Sequence, residues 1–133
     1  MLRVLLTAGL LLAPMGATLA ARSPGDIAEV RTGLFAFTVG EMIQENCDSI
    51  TPRLIRVFTL RNTLLATARA AGFSAQEIDD YVDDKIARAN LRAEASEYLA
   101  DAGATPGNEA SFCAVGASEI ARETAVGRLL RAQ

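Results

Sequence analysis

The chain contains no histidine and no tryptophan among its 133 residues, and Lys85 is its only lysine. Histidine is the most common general base and metal ligand in proteins, so its absence excludes Ser-His-Asp and Cys-His catalytic sites. A serine–lysine pair would have to use Lys85, and no serine stands at a spacing that marks such a pair. We therefore predict no catalytic residue and no bound cofactor, and we expect the protein not to be an enzyme.

Positively charged residues are fewer than negatively charged ones. The chain has 13 lysine and arginine residues against 16 aspartate and glutamate residues, which gives a formal net charge of -3. Nucleic acids and anionic lipids select for clustered lysine and arginine. The charge balance therefore predicts that neither is a partner.

The longest apolar stretch lies at the amino terminus. Arg3 precedes an apolar core at residues 4–12, and Pro14 and Gly16 interrupt the chain beyond it. A spanning helix needs about 20 apolar residues, so the stretch is too short for a stable membrane anchor. A basic start, a short apolar core and small residues after it are typical of a secretory signal peptide.

The predicted signal peptide is a helix over residues 1–20, cleaved after Ala20 or Ala21. The remaining residues, 21–133, have the size of a single domain. Because a cleaved signal directs export, we expect the mature protein to be periplasmic or secreted.

Cys47 and Cys113 are the only cysteines. In an oxidising compartment, two unaccompanied cysteines most simply form one disulfide. A redox-active pair usually occurs as Cys-x-x-Cys, and a zinc site needs more soft ligands than two cysteines, so a structural disulfide is the favoured interpretation. Closing so long a loop lowers the conformational entropy of the unfolded chain, which stabilises the folded state by about 4 kcal/mol.

Runs of β-branched residues with alternating polarity are missing, so no sheet is expected. Apolar residues recur instead at steps of three and four, which is typical of helices. Four helix starts are predicted, at Ser23-Pro24, at Thr51-Pro52, at the capping box of Ser74 and Glu77, and near Asn108.

The second and third helices carry specific expectations. The second is predicted to end at Gly72, with an apolar stripe formed by Leu54, Phe58, Leu65 and Ala68. The third is predicted to run from Ser74 to Gly103, with Phe73 packing on Ile78 at its start. Its apolar stripe shifts along the way, so we expect a bend or a drift of the buried face near Asn90.

The predicted fold class is all-α: a small antiparallel bundle of about four helices tied by one disulfide and preceded by the signal-peptide helix. Short connections make consecutive helices antiparallel, so the fourth helix begins at the pole where the first one ends. Cys47 follows the first helix, and Cys113 lies in the first turns of the fourth. The topology therefore places both cysteines at the same end.

Four aspartates form the densest charge cluster: Asp79, Asp80, Asp83 and Asp84. They lie near the start of the predicted third helix, where the positive end of the helix dipole favours acidic side chains. A solvated helix start is the favoured interpretation, and it assigns no metal ligand. A divalent-ion site or a partner-docking surface is the alternative, because carboxylates are ligands for Ca²⁺ and Mg²⁺.

The second helix is purely basic, with no acidic residue between positions 52 and 72. Its charged residues are Arg53, Arg56, Arg61 and Arg69. They spread over about half of the helix circumference and do not form a narrow stripe for a phosphate backbone. We expect them to pair with Glu41 and Glu45 of the first helix and with acids of the third.

Three strings in the chain resemble a known family. They are Asn46-Cys47-Asp48-Ser49-Ile50 with Arg53, Gly72-Phe73-Ser74 followed by Glu77-Ile78-Asp79-Asp80-Tyr81-Val82 and Lys85, and Phe112-Cys113-Ala114 with Gly116, Glu119 and Ile120. In this order they are similar to the domain-of-unknown-function family 5333, a group of short exported bacterial proteins. The resemblance implies a periplasmic one-domain protein with paired cysteines. The family has no assigned activity, so it carries no catalytic or binding residue over to this chain.

Two classes of function remain. The first is a protein-interaction or chaperone-like module that binds an unknown envelope protein, with an exposed apolar surface formed by Val126, Leu129 and Leu130. The alternative for this apolar tail is that it folds back on the core. The second is a small-ligand or divalent-ion binding protein, or an enzyme with its site between helices. The absent side chains favour the interaction module.

The disulfide can be tested directly. We expect the intact mass of the native protein to fall below that of the reduced chain by the two hydrogens that bond formation removes. Two thiols that alkylate freely in the native protein would contradict the bond.

Overall fold

The structure, a computed structural model, describes residues 23–133. The predicted signal peptide and its cleavage after Ala20 or Ala21 lie outside the described residues. The described part contains α1 Ala28–Glu45, β1 Ile50–Pro52, α2 Leu54–Ala70, α3 Ala75–Asp83, α4 Lys85–Asp101, α5 Glu109–Ala121 and β2 Leu130–Ala132. Two 3₁₀ turns, Pro24–Asp26 and Gly127–Leu129, precede α1 and β2. The prediction of a helical fold is confirmed.

In this part of the chain, every helix is too short or too polar to span a membrane.

The helix α1 is the central element and packs against α2, α4 and α5. A glycine lies where α1 packs against α2, and another lies where α1 packs against α5. A Cβ added at Gly33 would lie 2.6 Å from Leu64 Cδ2 of α2, and one added at Gly116 of α5 would lie 2.7 Å from Ile43 Cγ2. Both separations are shorter than a carbon–carbon contact, so a side chain at either position would require Leu64 or Ile43 to shift.

Two apolar clusters form the core. The larger one joins α1, β1, α4, α5 and the C-terminal segment, and it contains Val39, Ile43 and Leu99. The smaller one joins α1, α2 and α3 near the start of α1. It includes Ile78 and the half-buried Phe73, in agreement with the predicted packing of Phe73 on Ile78.

The disulfide between Cys47 and Cys113 is present, with an S–S distance of 2.04 Å and a Cα–Cα distance of 5.2 Å. It joins the chain just after α1 to the first turns of α5, as the antiparallel topology predicts. The bond closes a loop with a sequence separation of 66 residues. It therefore fixes the end of α1 against the start of α5 at one end of the bundle.

The predicted third helix is two helices. The capping box at its start is confirmed: the Glu77 backbone N–H donates to Ser74 Oγ at 3.2 Å, and the Ser74 N–H donates to Glu77 Oε2 at 2.8 Å. These bonds hold the pKa of Glu77 below its ordinary value. The chain then breaks at Asp84, not near Asn90. Asp84 is extended, and its Oδ1 accepts the backbone N–H groups of Ile86 and Ala87, so it caps a new helix.

A small antiparallel sheet was not expected from the sequence. Ile50–Pro52 pairs with Leu130–Ala132, with Thr51 opposite Arg131. The expectations of no sheet and of a helix start at Thr51-Pro52 are therefore wrong. The partner strand comes from a segment distant in sequence, which no local pattern reveals. Helix α2 begins at Leu54. The residue before it, Arg53, donates its backbone N–H to the Leu129 carbonyl at 2.7 Å.

The apolar residues near the C-terminus are part of the core. Val126, Leu129 and Leu130 are buried, with exposed fractions of 4%, 7% and 2%. The prediction that these three residues form an exposed partner surface is therefore wrong. Full burial of an aliphatic side chain stabilises the fold by about 1.5–3 kcal/mol, which favours the folded-back arrangement of this segment.

Gly127 provides a test of how tightly the C-terminal segment packs. A Cβ at Gly127 would overlap the backbone carbonyl of Glu119. Since this backbone cannot move aside cheaply, we expect Gly127→Ala to lower the free energy of unfolding by about 1–3 kcal/mol. Urea unfolding followed by circular dichroism measures the change.

The matched control is Gly40→Ala in α1. Its Cβ would lie 3.7 Å from Leu130 Cδ2, an ordinary contact. We expect it to be neutral or to stabilise the protein by about 0.5–1 kcal/mol, because alanine favours helix over glycine. Equal stabilities of the two variants would contradict this packing.

Candidate functional site

One carboxylate, that of Glu119 on α5, is fully buried, with an exposed fraction of 0%. Glu119 follows Phe112 by seven residues and Gly116 by three, so the helical period turns all three toward the core. Its Oε1 accepts hydrogen bonds from the Tyr98 hydroxyl at 2.6 Å and the Arg122 guanidinium at 2.9 Å. Its Oε2 accepts a hydrogen bond from the Thr124 hydroxyl. A buried carboxylate is costly unless it is paired and hydrogen-bonded, and these donors meet both requirements.

The same network holds the turn after α5. The Thr124 hydroxyl oxygen accepts the Gly127 backbone N–H at 3.0 Å, and the Thr124 N–H donates to the Glu119 carbonyl at 3.3 Å. Glu119 is therefore bonded, directly or through Thr124, to α4, to α5 and to the segment that leads into β2.

Tyr98 of α4 is the neutral partner in this network. Its hydrogen bond to Glu119 raises the pKa of its hydroxyl, burial and the charge of Glu119 raise it further, and Arg122 opposes the shift. Its ring packs edge-on against Phe35, with ring centroids 5.6 Å apart. The fold therefore keeps the Tyr98 proton in place as a donor to the carboxylate.

Two surface cavities are the places where a small ligand could enter. The first, of about 330 Å³, lies beside the Glu119 network and is lined by Tyr98, Ser118 and Arg122 among others. The second, of about 220 Å³, includes Arg31 and Glu94. Tyr98 and Arg122 already bond Glu119, and Arg31 bonds both Glu94 oxygens at 2.8 Å. The charged Arg31, Glu94 and Arg122 and the Tyr98 hydroxyl are thus engaged within the fold.

The acidic cluster does not converge. Asp84 caps α4, and Asp80 accepts a hydrogen bond from Gln76 Nε2 at 2.7 Å, while Asp79 and Asp83 are exposed on α3. Among residues 23–133, no three carboxylate or cysteine side chains are grouped so that they could hold a metal ion. The structure therefore gives the divalent-ion alternative no ligand set in this range.

The exposed apolar side chains at the start of α2 form the clearest candidate site. Leu54, Ile55 and Phe58 are 72%, 84% and 60% exposed. We call these three residues the α2 surface. Large exposed apolar groups that lie together mark interaction sites more often than single scattered ones do.

The α2 surface was missed because the predicted stripe is rotated. Val57, Leu60, Leu64 and Ala68 face the interior, and only Leu65 and Ala68 of the predicted stripe are half-buried or buried. Successive helical residues are about 100° apart, so Val57 and Phe58 cannot both face α1. The adjacent apolar pairs Leu54-Ile55 and Val57-Phe58 are the signal that could have revealed an outward apolar face.

The arginines of α2 do not make the predicted ion pairs. Glu41 and Glu45 pair instead with Arg92 of α4, at 3.5 Å and 2.7 Å. The hydrogen bond to Glu45 is the main cause that raises the pKa of Arg92. None of the four ion pairs within residues 23–133 includes an arginine of α2. Packing of α4 against α1 brings Arg92 to these glutamates, so the arginines of α2 are left without these predicted partners.

A second apolar pair is exposed where α3 meets α4. Val82 and Ile86 are 51% and 74% exposed. We call these two residues the α3–α4 surface. Three aspartates of α3 stand beside it in sequence: Asp79, Asp80 and Asp83.

The Glu119 network predicts a specific pH dependence. Tyr98→Phe removes one donor to a buried carboxylate, so we expect a loss of about 1.5–3 kcal/mol in the free energy of unfolding at neutral pH. In the folded state the pKa of Tyr98 is raised above its ordinary value of 10.0. The protonated hydroxyl therefore stabilises the fold fully below pH 10.0, and this stabilisation is lost as the pH rises through the folded-state pKa. The stability difference between wild type and Tyr98→Phe should therefore shrink above pH 10.0 in urea unfolding.

Tyr81→Phe is the matched control, because the Tyr81 hydroxyl does not bond the buried carboxylate. We expect this control to cost less at neutral pH than Tyr98→Phe does. A Tyr98 difference that grows above pH 10.0, or equal losses in the two variants, would contradict the assigned role of the hydroxyl.

Comparison with known proteins was limited to one match. No curated protein and no solved structure matches the chain. A family model described as a family of unknown function, DUF5333, matches residues 24–131, which include all five helices and the disulfide. The chain therefore belongs to the family of unknown function DUF5333.

Proposed function

We propose that the protein is an exported, periplasmic protein-interaction module that docks an envelope protein through the α2 surface. The observation that carries this proposal is the exposure of Leu54, Ile55 and Phe58 on one turn of a helix. Export is supported by the predicted signal peptide and by the disulfide, since disulfides persist in oxidising compartments.

Docking has a clear energetic source. Burying one large aliphatic or aromatic side chain contributes about 1.5–3 kcal/mol, and a few such residues near the centre of an interface supply most of its affinity. Leu54, Ile55 and Phe58 are adjacent on a rigid helix, so a partner can cover them together with little ordering of this chain.

The charges around the α2 surface define the chemistry of the partner. Arg53, Arg56 and Arg61 flank the apolar residues, and no acid lies on α2. Complementary charge speeds encounter and excludes wrong partners. The partner therefore presents an apolar segment with acidic side chains around it.

A chaperone-like mode uses the same surface. It would cover apolar segments of unfolding proteins instead of one fixed partner. The buried state of Val126, Leu129 and Leu130 moves this proposal from the C-terminal segment to α2.

Cross-linking in the cell tests the proposal. A photoreactive residue replaces Ile55 in the full chain, expressed with its own signal sequence in the native host. We expect a cross-link to an envelope protein that disappears when Phe58→Asp is added, because a charge at the centre of the docking surface opposes burial. If the mode is chaperone-like, Phe58→Asp also weakens suppression of client aggregation by the purified protein.

The control variant is Ala66→Asp, which adds the same charge at an exposed position further along α2. It should leave the Ile55 cross-link intact. A photoreactive residue at Ala66 that cross-links as strongly as one at Ile55, or a cross-link that survives Phe58→Asp, would overturn the proposal.

A further inference from the structure

The described part of the molecule exposes two apolar surfaces that carry opposite charge. The α2 surface lies on a helix with three arginines, Arg56, Arg61 and Arg69, and Arg53 immediately precedes it; no acid occurs between positions 52 and 72. The α3–α4 surface follows five carboxylates, which outnumber the two bases beside it, Lys85 and Arg88: Glu77, Asp79, Asp80, Asp83 and Asp84. Each surface therefore has the chemistry that the other would select in a partner.

Neither set of charges forms an ion pair within the described residues, although Glu77, Asp80 and Asp84 accept hydrogen bonds inside the fold. The four ion pairs there are formed by Arg31, Arg92 and Arg122 with glutamates of α1, α4 and α5. The arginines of α2 and the aspartates of α3 take part in none of them. Arg56 and Arg61 of α2 and Asp79 and Asp83 of α3 are exposed and thus available to another molecule.

The two surfaces lie at opposite poles of the fold. The α2 surface is at the start of α2, beside the C-terminal segment, where Arg53 bonds Leu129. The α3–α4 surface follows the far end of α2, and α3 packs against the 3₁₀ turn that precedes α1. Helix α2 has 17 residues and therefore spans about 25 Å. Within one copy the two surfaces do not cover each other, because all five of their apolar side chains are exposed.

We propose that the α2 surface binds the α3–α4 surface of a second copy of this chain. The inference rests on the proposed function, because it names an occupant for the same docking surface. Leu54, Ile55 and Phe58 would be covered by Val82 and Ile86 of the other copy, with arginines of α2 against aspartates of α3.

This contact is head-to-tail, because it joins two different surfaces. If both contacts form between the same two copies, the assembly closes as a dimer. If they do not, further copies add in a row. In both arrangements association depends on protein concentration and weakens as salt screens the exposed charges.

Sedimentation equilibrium tests the inference on the full chain expressed with its own signal sequence and purified from the periplasm. Two double variants are compared with wild type: Ile55→Asp with Phe58→Asp, which disables the α2 surface, and Val82→Arg with Ile86→Arg, which disables the α3–α4 surface. We expect wild-type mass to rise with protein concentration and each variant alone to remain monomeric.

The decisive measurement mixes the two variants. Each retains the surface that the other lacks, so an equimolar mixture should form one-to-one complexes although neither variant associates alone. If α2 surfaces pair with each other instead, the Val82→Arg, Ile86→Arg variant still associates alone and mixing restores nothing. That outcome overturns the inference.

Charge reversal provides a second set of variants in case the apolar replacements unfold the chain. Arg56→Glu with Arg61→Glu disables α2, and Asp79→Arg with Asp83→Arg disables α3, all at exposed positions. Circular dichroism confirms folding, and the same recovery on mixing is expected. Its absence, with both variants folded and monomeric, overturns the inference.

The two proposals fail in different ways. Wild-type protein that stays monomeric at all concentrations, yet still cross-links from Ile55 to an envelope protein, overturns self-association and leaves the docking function in place. Monomeric protein with no specific cross-link from Ile55 overturns both.

Discussion

The buried carboxylate of Glu119 is the constraint on which the C-terminal half of the fold depends. A charge with no solvent exposure needs donors on every side, and α4 supplies Tyr98 while the turn after α5 supplies Thr124. Because Thr124 also accepts the Gly127 N–H, satisfying the carboxylate sets the path of the chain into β2. That path brings the Leu129 carbonyl to the Arg53 N–H, immediately before α2. The start of α2, and with it the α2 surface, is therefore positioned by a buried charge on another helix.

The disulfide and the sheet act at the same end of the molecule. Cys47 and Cys113 join α1 to α5 just before β1, and β1 in turn holds β2. These connections hold the main core without contributions from Leu54, Ile55 or Phe58. The fold thus reaches a closed core while one turn of α2 keeps its apolar side chains in solvent, which is the basis for the docking role proposed above.

Local signals were the reliable part of the sequence. The structure contains the predicted capping box at Ser74, the predicted helix start at Asn108 and the predicted disulfide. The first two depend on residues close in sequence, and the third is the one pairing that two cysteines allow. The break at Asp84 is also a local capping event. Since Asp79, Asp80, Asp83 and Asp84 are all capable of capping a helix, only the folded structure distinguishes among them.

By itself the sequence determined the helical class, the helix starts at Ser74 and Asn108 and the disulfide, because caps act within a few residues and two cysteines have one pairing. Only the tertiary structure decided which face of α2 is buried, that Val126, Leu129 and Leu130 lie in the core, and that Glu119 is buried. Periodicity shows that a helix has an apolar face. Where two adjacent residues are both apolar, the neighbouring elements decide which of the two is buried. Those neighbours are distant in sequence, and their contacts determine which apolar groups are left exposed.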